Sequence, residues 1–90
     1  MPEWPAFRNY RVVSLLGTGS FASVFLARDE GLDASVAIKL LADNWSHVEG
    51  VRERFVQEAR LLRRLAGDHV VRVDLIDEQP DGRPWFVMAW

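Results

Sequence analysis

Lys39 is the only lysine among the 11 Lys and Arg residues of the chain, and it lies in an apolar run. The run is Val36-Ala37-Ile38-Lys39-Leu40-Leu41, which is typical of a buried strand. An unpaired charge in such a strand costs several kcal/mol or loses its charge by titration. The ammonium group is therefore predicted to lie beside an anion.

A glycine-rich segment precedes this lysine, with the sequence Gly17-Thr18-Gly19-Ser20-Phe21-Ala22-Ser23-Val24. Turns of this kind pack backbone N–H groups against phosphates. Downstream, Glu58 interrupts the apolar face of a predicted helix and offers a carboxylate to the lysine. The three elements together predict a nucleoside triphosphate site.

The elements that must position these residues follow from periodicity and turn residues. Strands are predicted from Tyr10 to Leu16, Phe21 to Arg28, Ser35 to Leu41, His69 to Asp77 and Trp85 to Trp90, with a hairpin turn at Gly17 to Ser20. A helix is predicted from about Glu49 to Leu65, closed by Gly67. The order β-β-β-α-β-β with short links predicts an α+β fold, a five-stranded antiparallel sheet with one packed helix.

The helix places its carboxylate toward the core. Apolar residues recur in one arc at Val51, Phe55, Leu62 and Leu65. Glu58 falls seven residues from the first and the last of them, so it lies inside that arc. On the third strand, Ala37 and Lys39 share one face because strand side chains alternate. The small alanine is predicted to leave room for a flat ligand whose charged end Lys39 reaches.

Composition bounds the class of protein. Of the 90 residues, 49% are hydrophobic and 27% charged, which is typical of a globular chain. A formal net charge of −2 gives no general attraction to nucleic acid or anionic membranes. The absence of cysteine excludes disulfides and thiolate metal sites. No apolar stretch approaches the roughly 18 residues that cross a bilayer.

The chain is divided into an N-terminal lead-in, 1–9, and one domain, 10–90. Its last residues, Trp85 to Trp90, have the pattern of an apolar strand. Domains normally end in polar linkers rather than inside a hydrophobic element. The domain is therefore expected to be incomplete.

The motifs resemble the N-terminal lobe of a eukaryotic-type protein kinase, most like those of bacterial serine/threonine kinases. The resemblance rests on Leu16 to Val24, on Val36-Ala37-Ile38-Lys39, on the helix with Glu58 and on the strand that reaches Met88. It covers about residues 7 to 90 and extends to Arg-Phe-Val-Gln-Glu-Ala-Arg-Leu-Leu-Arg-Arg-Leu and His-Val-Val-Arg-Val. The domain would then be a kinase lobe truncated at the hinge.

The resemblance implies a role for each matching residue. Lys39 would hold the α- and β-phosphates of ATP, positioned by an ion pair with Glu58, and these two are the candidate catalytic residues. The candidate ATP-binding residues are Leu16, Gly17, Thr18, Gly19, Ser20, Phe21, Ala22, Val24, Ala37, Lys39, Met88 and Ala89. Leu62 and Val73 match apolar positions that couple the helix to the rest of the active site. Ala22 replaces the third loop glycine, which is expected to weaken preorganisation of the loop at most.

The function implied is the ATP-binding lobe of a serine/threonine protein kinase. With the C-terminal lobe present, such an enzyme transfers the γ-phosphoryl group of ATP to Ser or Thr of a protein substrate. The Mg²⁺ ligands and the substrate surface belong to that lobe, so this chain alone is expected to be inactive and no metal ligand is assigned to it. The alternative is a non-catalytic, pseudokinase-like or truncated interaction module.

Other readings of single features stay open at this stage. Lys39 could extend to solvent from a strand edge, and Glu58 could pair with Arg54 one turn earlier. The arginines of the helix are interpreted as a solvated face rather than a nucleic-acid surface, and His47 and His69 as isolated. A cytoplasmic location is expected, with no membrane segment in these residues and anchoring beyond residue 90 left open.

Overall fold

Five strands form one antiparallel sheet in the computed structural model, which describes residues 4–65 and 73–89. The elements are β1 (Tyr10–Thr18), β2 (Ala22–Asp29), β3 (Ala34–Leu41), α1 (Val51–Leu65), β4 (Val73–Glu78) and β5 (Pro84–Ala89), with one turn of 3-10 helix at Asp43–Trp45. The sheet order is β1-β2-β3-β5-β4. This confirms the predicted fold class, a five-stranded antiparallel sheet with one packed helix.

The first hairpin turn is shorter and later than predicted. Gly17 pairs with Val24 and Thr18 with Ser23, so β1 continues through residues that the sequence assigned to the turn. The turn is left with residues 19–21, and the N–H of Gly19 closes it by donating to the carbonyl of Ala22 at 2.9 Å. Ladder pairing gives the backbone of Gly17 and Thr18 partners within the sheet, where a wider turn would leave these groups to water.

Helix α1 begins at Val51 rather than at the predicted Glu49. Gly50 has φ of 84°, outside the helical region, so it must precede the first helical residue. Its carbonyl accepts the N–H of Arg54 at 3.1 Å, the first bond of the helix. The predicted helix stop at Gly67, the start of the fourth strand at His69 and the strand residue Trp90 lie outside the described residues. In the described ranges no helix is long and apolar enough to cross a membrane.

Each face of the sheet carries its own buried cluster. The face opposite α1 contains Phe7, Phe25, Ala27, Val36, Ile38, Leu40, Trp85 and Val87. The face under α1 contains Ala22, Leu41, Val51, Phe55, Ala59, Val73 and Phe86. The alternation of β3 explains the division, because neighbouring residues of a strand point to opposite faces. The sheet is thus buried on both sides.

The segment that precedes β1 covers the face opposite the helix. Phe7 is 1% exposed, and its ring centroid lies 5.8 Å from that of Phe25 and 5.0 Å from that of Trp85. Trp4 adds an edge contact to Phe25, with centroids 5.9 Å apart. Aromatic side chains of this size contribute much of the apolar burial of a small domain. The segment 4–9 therefore supplies core residues to the sheet.

Polar contacts also connect the segment 4–9 to the β4–β5 hairpin. Gln79 Nε2 donates to the carbonyl of Ala6 at 3.0 Å, and Arg8 pairs with Asp77. The N–H of Glu78 lowers the pKa of Asp77 below its usual value, and Arg8 adds to this lowering. The carboxylate is thus held in its charged form for the arginine.

Replacing Phe7 with alanine tests whether the segment 4–9 is part of the fold. Phe7→Ala removes a buried ring and is expected to lower the free energy of unfolding by about 3–5 kcal/mol. Leu32→Ala is the control, because Leu32 is 77% exposed and its loss should change stability by about 0.5 kcal/mol or less. Urea denaturation of both variants measures the difference, and equal stability of the two would contradict the assignment.

Candidate functional site

The structure joins Lys39 of β3 to Glu58 of α1. Lys39 Nζ donates to Glu58 Oε1 at 3.0 Å, so the strand and the helix each supply one member of an ion pair. Arg54 of the same helix, the alternative partner considered for Glu58, is not the partner observed. Of the two readings of Lys39, pairing with the helix is the one observed.

The pair is more exposed than the sequence predicts. The side chain of Lys39 is 27% exposed and that of Glu58 is 47% exposed, so the expectation of a buried ammonium is wrong in degree. The apolar run around Lys39 is explained by the opposite face of β3, where Val36, Ile38 and Leu40 are buried. Exposed ion pairs of this kind contribute about 0–1 kcal/mol to stability. Folding therefore depends little on the pair.

Phe86 supports the lysine from β5, which the sequence analysis missed. It is the register partner of Lys39, and Lys39 Nζ lies 5.9 Å from the centre of its ring, within range of a cation–π contact. The ring of Phe55 from α1 lies 5.2 Å from the same ring. The signal was present in the sequence, because Phe86 and Met88 are two residues apart and must share a face.

The strand register builds an apolar floor beside the ion pair. Ala37 lies between Leu26 of β2 and Met88 of β5, and in the next row Lys39 lies between Val24 and Phe86. Directly opposed residues of antiparallel strands point to the same face. The structure thus brings Val24, Ala37, Lys39 and Met88 together, and it adds Leu26, which sequence reasoning did not include.

Ala89 lies at the end of this floor but belongs to the other face. It is the exposed last residue of β5 and pairs with Val36, so its side chain points away from the face of Ala37. The role assigned to it at the sequence level concerns backbone groups rather than its methyl group. That role stays a prediction.

A register shift in β1 singles out Leu16 at the edge of the floor. Leu15 pairs with Phe25 and Gly17 with Val24, so Leu16 is the extra residue between the two pairs. Such an irregularity turns a side chain away from the regular alternation. The residues that follow, Gly17, Thr18, Gly19 and Ser20, are exposed.

Neither φ nor packing within the protein accounts for glycine at position 17. Its φ does not fall in the positive range that favours glycine, and a Cβ built there meets nothing within 4 Å. At Gly19 a Cβ would lie 3.7 Å from the carbonyl of Ala22, an ordinary contact. What the loop provides at Gly17 is free space beside its backbone.

The C-terminal end of the loop, Phe21 and Ala22, is anchored to the rest of the domain. Ala22 is buried in the cluster under α1, where it pairs with Leu41 of β3. The ring of Phe21 packs on Trp45 at 5.3 Å, and its carbonyl accepts the N–H of Ala42 at 2.9 Å. The methyl group that replaces the third glycine therefore serves the core. A glycine there would remove part of this anchor.

The remaining residues named at the sequence level divide into packing and surface. Leu62 and Val73 both pack in the cluster under α1, as do Val51 and Phe55, whereas the side chain of Leu65 lies outside the description. The arginines of α1 at positions 52, 54, 60, 63 and 64 are exposed, as is His47. Within residues 4–65 and 73–89 there is no group of three or more His, Cys, Asp or Glu that could hold a metal ion.

Comparison with known proteins gives a consistent result. Residues 10–90 match the family model described as protein tyrosine and serine/threonine kinase. The chain is 39% identical over 85 residues to the serine/threonine-protein kinase PksC of Streptomyces coelicolor, covering 91% of this chain and 15% of that protein. It is 42% identical over 81 residues to the DNA damage-responsive serine/threonine-protein kinase RqkA of Deinococcus radiodurans, covering 89% and 12%.

Solved structures agree with the sequence relatives. The crystal structure of the Mycobacterium tuberculosis PknI kinase domain superposes with a TM-score of 0.75 at 29% identity, over 96% of this chain and 34% of that one. The chain thus spans about one third of a kinase domain and less than one sixth of the two curated relatives. The matched part contains the sheet, the helix and the Lys39–Glu58 pair. The chain belongs to the protein tyrosine and serine/threonine kinase family, of which it forms the N-terminal lobe.

Proposed function

We propose that this chain is the ATP-binding lobe of a serine/threonine protein kinase. Together with a C-terminal lobe, it would transfer the γ-phosphoryl group of ATP to serine or threonine hydroxyls of proteins. The observation that carries the proposal is the Lys39–Glu58 ion pair at 3.0 Å, beside an apolar floor and near a loop with free space at Gly17. The serine/threonine preference is supported by the names of the relatives.

The floor suits a flat apolar ligand face such as adenine. Ala37 is small and lies between Leu26 and Met88, and Val24 continues the apolar surface toward the glycine loop. Sites for small molecules are mostly apolar, with a few polar groups that fix orientation. In this proposal Leu16 covers the floor from the β1 side, and the backbone at Ala89 hydrogen-bonds the edge of the base.

Lys39 supplies the positive charge in the proposal. Its ammonium group bonds the α- and β-phosphates, while Glu58 and the ring of Phe86 hold the side chain over the sheet. The residues from Gly17 to Ala22 cover the phosphates with backbone N–H groups. Phosphoryl transfer depends mainly on positioning and charge stabilisation, so these contacts are the share of catalysis that this lobe contributes.

Magnesium ligation is assigned to the other lobe. The kinase family uses ATP together with Mg²⁺ in general, and the residues described here include no cluster able to hold a metal ion. Lys39 and the loop would bind phosphate oxygens, and Mg²⁺ would neutralise the charge that they leave uncompensated. A protein substrate would likewise contact the C-terminal lobe.

Lys39→Met tests the assignment of the charge. Methionine keeps the length of the side chain but removes its charge, so turnover of the full-length protein should fall by about 100-fold or more. The fold should persist, because the exposed pair contributes little to stability. Kinase assays and circular dichroism measure both quantities. Arg11→Met, which breaks an exposed pair with Glu30 at the end of the β1–β2 hairpin opposite the glycine-rich turn, is the matched control and should remain active.

The outcome also separates the two functions considered from the sequence. A folded Lys39→Met protein with undiminished turnover would show that the assignment of Lys39 is wrong. A folded wild-type protein that binds no nucleotide in calorimetry with Mg-ATP would favour the non-catalytic interaction module instead.

Gly17→Ala separates a glycine required by the ligand from one required by the fold. A Cβ at this position meets nothing within 4 Å, so the melting temperature should not fall. Mg-ATP affinity should fall about tenfold if the loop backbone approaches the phosphates closely. Gly31→Ala, in the turn between β2 and β3, is the control and should leave affinity unchanged. Unaltered affinity in Gly17→Ala would argue against close approach of the loop.

A further inference from the structure

Helix α1 is attached to the sheet by a buried apolar stripe centred on Phe55 and by two polar contacts that flank it. Phe55 is buried in the cluster under the helix. Arg52 precedes it by three residues and Glu58 follows it by three, so on a helix they lie about 60° to either side of it. Glu58 bonds Lys39, and Arg52 bonds the β4–β5 turn. The helix is therefore held on both flanks of its buried stripe.

The contact of Arg52 is built into the turn that it reaches. Arg52 Nη2 donates to the carbonyl of Gly82 and lies 3.6 Å from Glu78 Oε2. Gly82 has φ of 90°, and a Cβ at this residue would lie 2.8 Å from Arg52 Nη2. The N–H of Gly82 donates to the backbone carbonyl of Gln79 at 2.8 Å, and this hydrogen bond closes the turn. The turn thus offers a rigid carbonyl and leaves room for the guanidinium group.

Apolar packing on the same flank comes from Ala59, which lies about 40° from Phe55 around the helix and is buried in the cluster. A groove of about 360 Å³ lies between α1 and the hairpin, lined by Arg52, Val56, Arg60, Glu78 and Pro84 among others. Side chains do not fill it, and Arg52 crosses it to reach the carbonyl of Gly82 and the carboxylate of Glu78. On the other flank the connection is the Lys39–Glu58 pair.

We propose that Arg52 is a positioning residue that fixes the rotation of α1 about its axis and thereby keeps Glu58 on Lys39. A rotation that withdraws Glu58 from Lys39 also displaces Arg52 from the carbonyl of Gly82, because both residues belong to one rigid helix. The bond to the turn therefore opposes loss of the ion pair. This inference rests on the proposed function, since it gives Arg52 a role in the same site.

If Arg52 positions Glu58 in this way, loss of its side chain should lower turnover rather than the stability of the fold. The side chain of Arg52 is 47% exposed, so its loss should change global stability little. The population with the ion pair formed should fall, and kcat with it, by about fivefold, which corresponds to the net contribution of one ordinary hydrogen bond at a solvent-exposed site. KM for ATP should change less, because the apolar floor provides much of the affinity for the base.

The experiment compares Arg52→Ala with Arg60→Ala in the full-length protein. Arg60 is an exposed arginine two turns further along α1, so this control removes the same charge from the same helix. Arg52→Ala should lower kcat about fivefold at an unchanged melting temperature, whereas Arg60→Ala should not. Arg52→Lys, which keeps a donor for Gly82, should recover part of the loss. Should Arg52→Ala prove unstable, Arg52→Gln gives the same comparison with a longer neutral side chain.

A second substitution shows whether Arg52 acts through Glu58. In the Glu58→Gln background, Arg52→Ala should cause no further loss of kcat, because the pair that it protects is already gone. An equal fivefold loss in both backgrounds, or equal kcat for Arg52→Ala and Arg60→Ala, would overturn the inference. If Lys39→Met is fully active, the proposed function and this inference are both wrong. If only Lys39→Met is impaired, the proposed function stands and the role of Arg52 is rejected.

Discussion

The antiparallel pairing of β3 with β5 is the constraint on which the rest of the structure depends. It joins the β1–β2–β3 meander to the β4–β5 hairpin and places Lys39 opposite Phe86 and Ala37 opposite Met88. Because opposed residues share a face, one register fixes the apolar floor, the support under the lysine and the surface on which α1 packs. A slip of one residue would turn Lys39 to the face covered by Phe7 and Trp85, away from Glu58.

The two faces of this sheet have different physical tasks. The face opposite α1 is closed by aromatic packing from the segment 4–9. The other face is covered by α1 around Phe55 and Phe86, and its Lys39–Glu58 pair remains partly open to solvent. Burial thus contributes to stability on both sides, and on the side of α1 a charged pair also remains accessible to solvent. This separation lets the site hold a charged pair at little cost in desolvation.

Much of the fold and the centre of the site could be predicted from the sequence because both depend on local periodicity. Alternation in the third strand placed Lys39 on the face of Ala37, and the arc of α1 placed Glu58 toward it. The exposure of Lys39, the contact of Arg52 with Gly82 and the burial of Phe7 could not be predicted. Each of these features depends on contacts between segments that are distant in the sequence. The periodicity of a single strand or helix does not predict such contacts. The turn at residues 19–21 was misplaced for a related reason, since ladder pairing overrode the turn preference of glycine.

The segment before β1 bears on where a recombinant form of this lobe should begin. The match to the family model starts at residue 10, whereas the aromatic packing of the described residues starts at Trp4 and is centred on Phe7. A polypeptide expressed from Tyr10 onward would leave Phe25 and Trp85 without their cover. Exposed aromatic patches of that kind promote self-association in solution. The boundary that the family model suggests and the boundary that keeps this aromatic packing intact therefore differ by at least six residues.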